Sequence, residues 1–181
     1  LPTEFNGIVV ANEVLDALPV ERFQRCDAAV QQCCVASEGG ELTWIQRTAP
    51  SRLSETVAAI ESDIGAVFAD GYTSEISLAA PIWIADIASC LQTGVVFLFD
   101  YGVSRREYYA LDRSDGWLRC HFRHHAHSDP LIYPGIQDLT AWVDFSSIAA
   151  AAVANDLDIM GYQTQAQFLM GGGLEEEMKN F

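Results

Sequence analysis

Apolar positions along the chain follow two periods. Gly7–Ala11 (GIVVA) is an unbroken apolar run rich in β-branched residues, which predicts a strand covered on both faces, and it stops abruptly at Asn12-Glu13. Gly94–Phe99 (GVVFLF) repeats the pattern and stops at Asp100-Tyr101-Gly102, so two buried strands each end in an acid. Val20–Arg25, Ala29–Ser37 and Glu41–Thr48 also read as strands; Glu38-Gly39-Gly40 joins the last two into a hairpin, which the first extends. Val14–Leu18 has room for one helical turn before Pro19 limits it. Leu53, Val57 and Ile60 recur at helical spacing and predict a surface helix over Ser51–Ile60 behind a serine cap. A second helix is expected over Leu78–Leu91, with Pro81 near its first turn.

Arg105 to Pro134 is polar and aromatic, with Trp117–Arg123 as its one strand, and reads as an insertion lying over something. Asp138–Val143 is a further strand, Asp144 or Ser146 caps an Ala-rich helix over Ile148–Ala154, and Ile159–Thr164 leads into a last helix that ends at Gly171–Gly173. Buried strands alternating with helices give an α/β class with a largely parallel sheet, decorated by antiparallel hairpins.

Charge narrows the partners. The 181 residues hold 10 Lys+Arg against 25 Asp+Glu, a net −15, and such a surface repels phosphate backbones and anionic lipid. No apolar run approaches the ~20 residues of a membrane span. Five cysteines, odd in number and without a C-x-x-C spacing, fit neither a disulfide framework nor a thiolate zinc site and favour a reducing compartment. The chain starts at Leu1, which reads as a fragment or a processed product.

Ligands of open α/β sheets sit outside the carboxyl ends of the strands, where both acidic turns are expected. Asn12, Glu13 and Asp16 offer hydrogen bonds and charge to a cationic group, or else they cap the turn that follows. Asp100 and Tyr101, with Gly102 permitting close backbone approach, form either a second half of that site or an ordinary strand-ending turn. His121, His124, His125 and His127 fall within seven positions, and His121, His125 and His127 share a face if their strand continues. No acid or thiolate is interleaved and Arg123 sits among them, so a polar segment without metal is the favoured reading over a histidine metal site. Gly39-Gly40 and Gly171–Gly173 follow a strand and a helix in the wrong order for a nucleotide-cradling loop.

The run ANEVLDALPVERF (Ala11–Phe23) resembles the motif of the MidA-type S-adenosylmethionine-dependent methyltransferases, the family of the mitochondrial complex I assembly factor that methylates protein arginine. GYTSEIS (Gly71–Ser77), FDYG with REYY (Phe99–Gly102, Arg106–Tyr109), LRCHFRHHAHSDPL (Leu118–Leu131), PGIQDLTAWVDF (Pro134–Phe145) and QAQFL (Gln165–Leu169) continue the resemblance in the same order. It implies a partial Rossmann-like class I methyltransferase sheet with antiparallel hairpin and helical insertions, Gly7–Ala11 and Gly94–Phe99 being its fourth and fifth strands. Residues 1–181 would form one domain, a fragment lacking the N-terminal glycine-rich half that binds the S-adenosylmethionine cofactor. The resemblance also assigns roles. Glu13 and Asp16 become catalytic residues that hold a guanidinium with one nitrogen aimed at the methyl sulfonium, and Asn12, Asp100 and Tyr101 become substrate-binding residues. It implies no metal, a protein partner presenting arginine, and a bacterial-type cytoplasmic or mitochondrial-matrix location. The competing expectation is a non-catalytic remnant or partner-binding module that retains only the substrate face.

Overall fold

A computed structural model describes residues 2–179, so the chain start at Leu1 lies outside the described residues. The first strand, β1 (Phe5–Asn12), pairs in parallel with β6 (Leu91–Phe99), Val9 opposite Val96 and Asn12 opposite Phe99. Between them lie β2 (Glu21–Cys26), β3 (Ala29–Glu38), β4 (Glu41–Thr48), α1 (Ser51–Ile64), β5 (Thr73–Ile76) and α2 (Ala79–Cys90). After β6 come β7 (Gly102–Val103), α3 (Arg105–Tyr108), β8 (Leu118–Phe122), β9 (His125–His127), β10 (Asp138–Ala141), β11 (Val143–Asp144), α4 (Phe145–Ala154), α5 (Gln165–Gly171) and α6 (Leu174–Met178).

The largest sheet is antiparallel, in the order β4-β3-β2-β5. Gly39 and Gly40, at φ 61° and 91°, supply the left-handed pair that a two-residue hairpin turn requires between β3 and β4. Leu53, Val57 and Ile60 of α1 are buried as their spacing predicts, in a core with Phe23, Phe68, Tyr72, Tyr108, Tyr109 and Trp117. Phe68 and Tyr72 stack there at 4.2 Å. The expected serine cap is absent: Pro50 takes the N-cap position, Ser51 is already helical, and α1 runs on to a left-handed Gly65. In α2, Pro81 sits inside the first turn, and the Ser77 hydroxyl accepts from the Ala80 amide at 3.1 Å. A second core joins Leu15, Ala80 and Ile84 of the β1 and α2 regions to Val143, Ile148 and Ala152. Asp144, the second residue of β11, caps α4 by accepting from the Ser146 and Ser147 amides. Ile159–Thr164 is irregular, and Thr164 opens α5 with a reciprocal capping box to Gln167.

β5 was not legible, because TSEI carries polar residues that the fold nevertheless buries completely. With the serine cap, two more expectations fail. The sheet is not largely parallel: only the two-stranded β1–β6 and β7–β11 pairs run parallel, while the short turns between β2, β3 and β4 and between β8 and β9 make the larger sheets antiparallel. Neither β1 nor β6 is covered on both faces: in β1 Ala11 is buried and Val9 half-buried, whereas Ile8 and Val10 are 68% and 64% exposed, and in β6 no residue is buried and Val95 is exposed. Helices α2 and α4 lie against one side of the β1–β6 pair, through Leu98, while Phe168 of α5 meets the Phe97 and Phe99 rings on the other. An apolar parallel strand with an unpaired edge among the described residues is a template for association. The 181-residue chain should therefore self-associate with rising concentration, and Val10→Lys should suppress this with less than about 0.5 kcal/mol change in stability. Light scattering that stays monomeric before the substitution contradicts this.

Candidate functional site

Parallel pairing places the two strand ends side by side. The Glu13 amide donates to the Phe99 carbonyl at 2.8 Å, which closes the ladder and sets both acidic turns at the carboxyl end of the strand pair. Glu13 is left-handed at φ 50°, an uncommon conformation for a residue with a side chain. Val14–Leu18 forms a turn rather than a helix, its Leu18 amide donating to the Leu15 carbonyl at 3.2 Å.

Asp100 organises this turn. One of its oxygens accepts from the Leu15 and Asp16 amides at 2.8 and 3.3 Å, and the other from its own neighbour Tyr101 at 2.9 Å. Burial pushes its carboxyl above the usual aspartate value, while the amides of Leu15, Tyr101 and Asp16 pull it back. Asp100 thus spends its acceptors on backbone and braces the loop on which Asp16 stands.

Asp16 is 5% exposed, and its Oδ1 has no hydrogen-bond partner. Burial raises its pKa, and the negative charges of Asp100 and Glu13, with Asp138 of β10, raise it further. Glu13 and Asn12 are exposed. Tyr101 is 55% exposed, and a hydrogen bond to the Glu13 carboxylate pushes its phenol up. The structure therefore brings Glu13, Asp16, Asp100 and Tyr101 together, with Asn12 at the last rung of the β1–β6 ladder.

Gly102 does allow a close backbone approach, but to the chain itself. A Cβ there would overlap the Val143 carbonyl oxygen and come within 2.6 Å of the Phe145 ring. What the sequence did not point to is the brace from β10 and β11: the Ala141 amide donates to the Asp16 carbonyl at 2.9 Å and the Val143 amide to the Tyr101 carbonyl at 2.8 Å. No local pattern encodes it, since the partners are more than a hundred residues apart in one case.

The histidine segment also differs from its expected form. Arg123 and His124, at φ 49° and 65°, make a two-residue turn that folds β9 back on β8. His121 then lies opposite Ala126 on one face, while His125 and His127 lie opposite Phe122 and Cys120 on the other. The three histidines do not share a face because the strand reverses. All five cysteines are free thiols.

Residues 1–163 match the family described as "Putative S-adenosyl-L-methionine-dependent methyltransferase", and the chain belongs to that family. It is 28% identical over 178 residues to the protein arginine methyltransferase NDUFAF7, mitochondrial, of Danio rerio, covering 96% of this chain and 38% of that protein. The Caenorhabditis elegans homologue of that enzyme is 26% identical, over 95% of this chain and 38% of its own length. A crystal structure of a COG1565 superfamily member from Burkholderia thailandensis, bound to S-adenosyl-homocysteine, superposes with TM-score 0.91 at 36% identity, over 100% of this chain and 46% of that one. The chain thus spans less than half the length of these relatives.

Proposed function

We propose that this chain forms the acceptor side of an S-adenosylmethionine-dependent methyltransferase whose substrate is an arginine of a protein. The observation that carries the reading is the buried, unpartnered Asp16 Oδ1 beside the carboxylates of Glu13 and Asp100. Like charges held this close raise each other's free energy, and a cation entering among them relieves it. A guanidinium suits the position, because its planar fork of donors satisfies two carboxylates at once. The names of the curated relatives support arginine as the acceptor and the mitochondrion as a compartment for the eukaryotic branch. A role in respiratory complex I assembly is the further implication of the resemblance.

The glycine-rich loop of a cofactor cradle is not among the described residues. β1 runs into Asn12-Glu13, β6 into Asp100-Tyr101, and β5 into Ser77 and α2, so no glycine-rich loop joins a strand to a helix among them. The cofactor supplies the methyl group, and this chain's part is to bind and orient its acceptor. Asp16 and Glu13 fix the guanidinium, Asp100 holds the turn rigid, and Tyr101 shares the Glu13 carboxylate until the substrate arrives. Methyl transfer is an in-line displacement, so orientation is the main demand and no strong base is required.

Nuclear magnetic resonance tests the clamp directly on this chain. Titration with N-acetyl-arginine amide should shift the amides of Asn12, Glu13, Asp16 and Tyr101, while the isosteric but uncharged citrulline derivative should leave them in place. Equal responses to the two would overturn the reading.

A further inference from the structure

Beside the acidic turn lies an open groove of about 600 Å³, whose lining includes the rings of Trp117 and Trp142 and four charged side chains, Glu107, Asp112, Arg113 and Arg119. Its floor is a three-member stack. The Arg113 guanidinium sits 3.8 Å from the Trp117 ring centroid, and the Trp142 ring stacks on Trp117 at 4.3 Å and 15°. The stack is held from below. Glu75, fully buried in β5, accepts from the Trp117 amide at 2.6 Å, and the Trp117 indole donates to the Tyr108 carbonyl at 2.8 Å. Gly116, at φ 73°, leaves the room this needs, since a Cβ there would overlap the Glu75 carboxylate. Trp142 nevertheless stays 37% exposed.

The charges of the groove are unequal in availability. Glu107 is committed to the cap of α3, accepting from the Ser104 hydroxyl at 2.6 Å and amide at 3.1 Å. Asp112 is exposed and has no cationic partner within 4.0 Å among the described residues. Arg113 and Arg119 are exposed and, like Arg47, Arg52, Arg106 and Arg123 elsewhere, have no carboxylate within 4.0 Å among the described residues, Arg119 donating to the Leu118 carbonyl at 2.8 Å. What sets Arg113 apart from the other unpaired arginines is its place in the stack with Trp117 and Trp142. A guanidinium stacked on an indole keeps its N–H edge free for a carboxylate. The groove is also tied to the acidic turn: Trp142 lies between Ala141 and Val143, whose amides are bonded to the carbonyls of Asp16 and Tyr101.

We infer that this groove is a docking subsite for the substrate polypeptide, taking a carboxylate side chain beside an aromatic or large apolar residue a short distance along the chain from the target arginine. The inference deepens the proposed function and rests on it. The enzyme then reads a bipolar segment: the arginine enters the acidic turn, and the nearby acid meets Arg113 and Arg119 while its apolar neighbour covers Trp142.

Blocked peptides test this on the 181-residue chain, followed by quenching of tryptophan fluorescence. Each carries one arginine and, two to five residues away, a Glu-Phe pair, and is matched by peptides with Gln for Glu or citrulline for arginine. At the best spacing the Glu peptide should bind at least about tenfold tighter than the Gln peptide. Arg113→Gln and Arg119→Gln should each shrink that ratio, and the double variant should erase it with an unchanged circular dichroism spectrum. Arg113→Lys with Arg119→Lys, which keeps charge if the double glutamine variant misfolds, should preserve part of it. Equal affinity for the Glu and Gln peptides at every spacing, or a ratio that survives the double substitution, overturns the groove and leaves the arginine clamp standing. A Glu dependence that persists while citrulline substitutes freely for arginine sinks the clamp instead.

Discussion

Gly94→Ala should cost this chain about 3 kcal/mol or more, the upper range for forcing a methyl group into a filled space. In a domain of this size that is a fall in Tm of about 6–12 °C. The reason is specific to the pair. A Cβ on Gly94 would overlap the Gly7 carbonyl oxygen and lie 2.9 Å from both the Gly7 carbonyl carbon and Leu91 Cδ1. The first two of these atoms are backbone of the partner strand, so only separation of β1 from β6 relieves the clash. Gly7→Ala is the control. A Cβ there meets only Phe5 Cδ2, at 3.8 Å, an ordinary contact, so stability should stay level or rise by about 0.4–1 kcal/mol through the unfolded state. Thermal melts of the two variants decide the matter, and equal melts would show that the β1–β6 register does not depend on Gly94. Because Glu13 and Asp100 meet only through that register, Gly94→Ala should also abolish the arginine-induced amide shifts.

The same pair shows why the sequence could be read so far and no further. GIVVA and GVVFLF announce strands because β-branched and aromatic runs fit no other buried element of that length, and an acid following each run is visible without a structure. Their adjacency is not visible, since 85 residues separate Leu15 from the Asp100 carboxylate that caps its amide. Asp100 illustrates the cost. As a residue type at a strand end it looks like a ligand for substrate, and only the hydrogen bonds reveal that its oxygens serve the backbone. β5 was hidden for the opposite reason. Thr73, Ser74 and Glu75 look like a surface loop, and Glu75 is buried because Arg22, 3.3 Å away, and the Trp117 amide compensate it from elements 53 and 42 residues distant. The α1 core face was legible in full, because helical spacing is a local property.

Asp16→Asn should make the protein more stable at neutral pH and a poorer binder of arginine, two effects that a merely structural residue would not combine. The stability half follows from proton linkage. Burial and the neighbouring carboxylates raise the Asp16 pKa above its unfolded value, so the folded chain holds a proton that the unfolded chain has already lost. The contribution of Asp16 to stability is therefore most favourable below the ordinary aspartate range, falls as pH rises through the window between its unfolded and folded values, and remains reduced at pH 7. Asparagine keeps the shape and the acceptor toward the Ala17 amide but removes the charge, so the melt at pH 7 should rise, by about 2–4 °C for each kcal/mol recovered, and its slope through the acid window should flatten. The binding half has the opposite sign. A charge-assisted hydrogen bond to a guanidinium is worth roughly 1.5–3 kcal/mol, so arginine affinity should fall about ten- to a hundredfold, and Glu13→Gln should weaken it in the same sense. In the polypeptide that also carries the cofactor side, the loss should appear in arginine methyl transfer with S-adenosylmethionine affinity unchanged. Glu13 gives the sharper control. If it serves only its turn, Glu13→Gln costs a few tenths to about 1 kcal/mol of stability and leaves arginine binding intact. Undiminished arginine binding in both variants, at any pH, would remove Glu13 and Asp16 from the site.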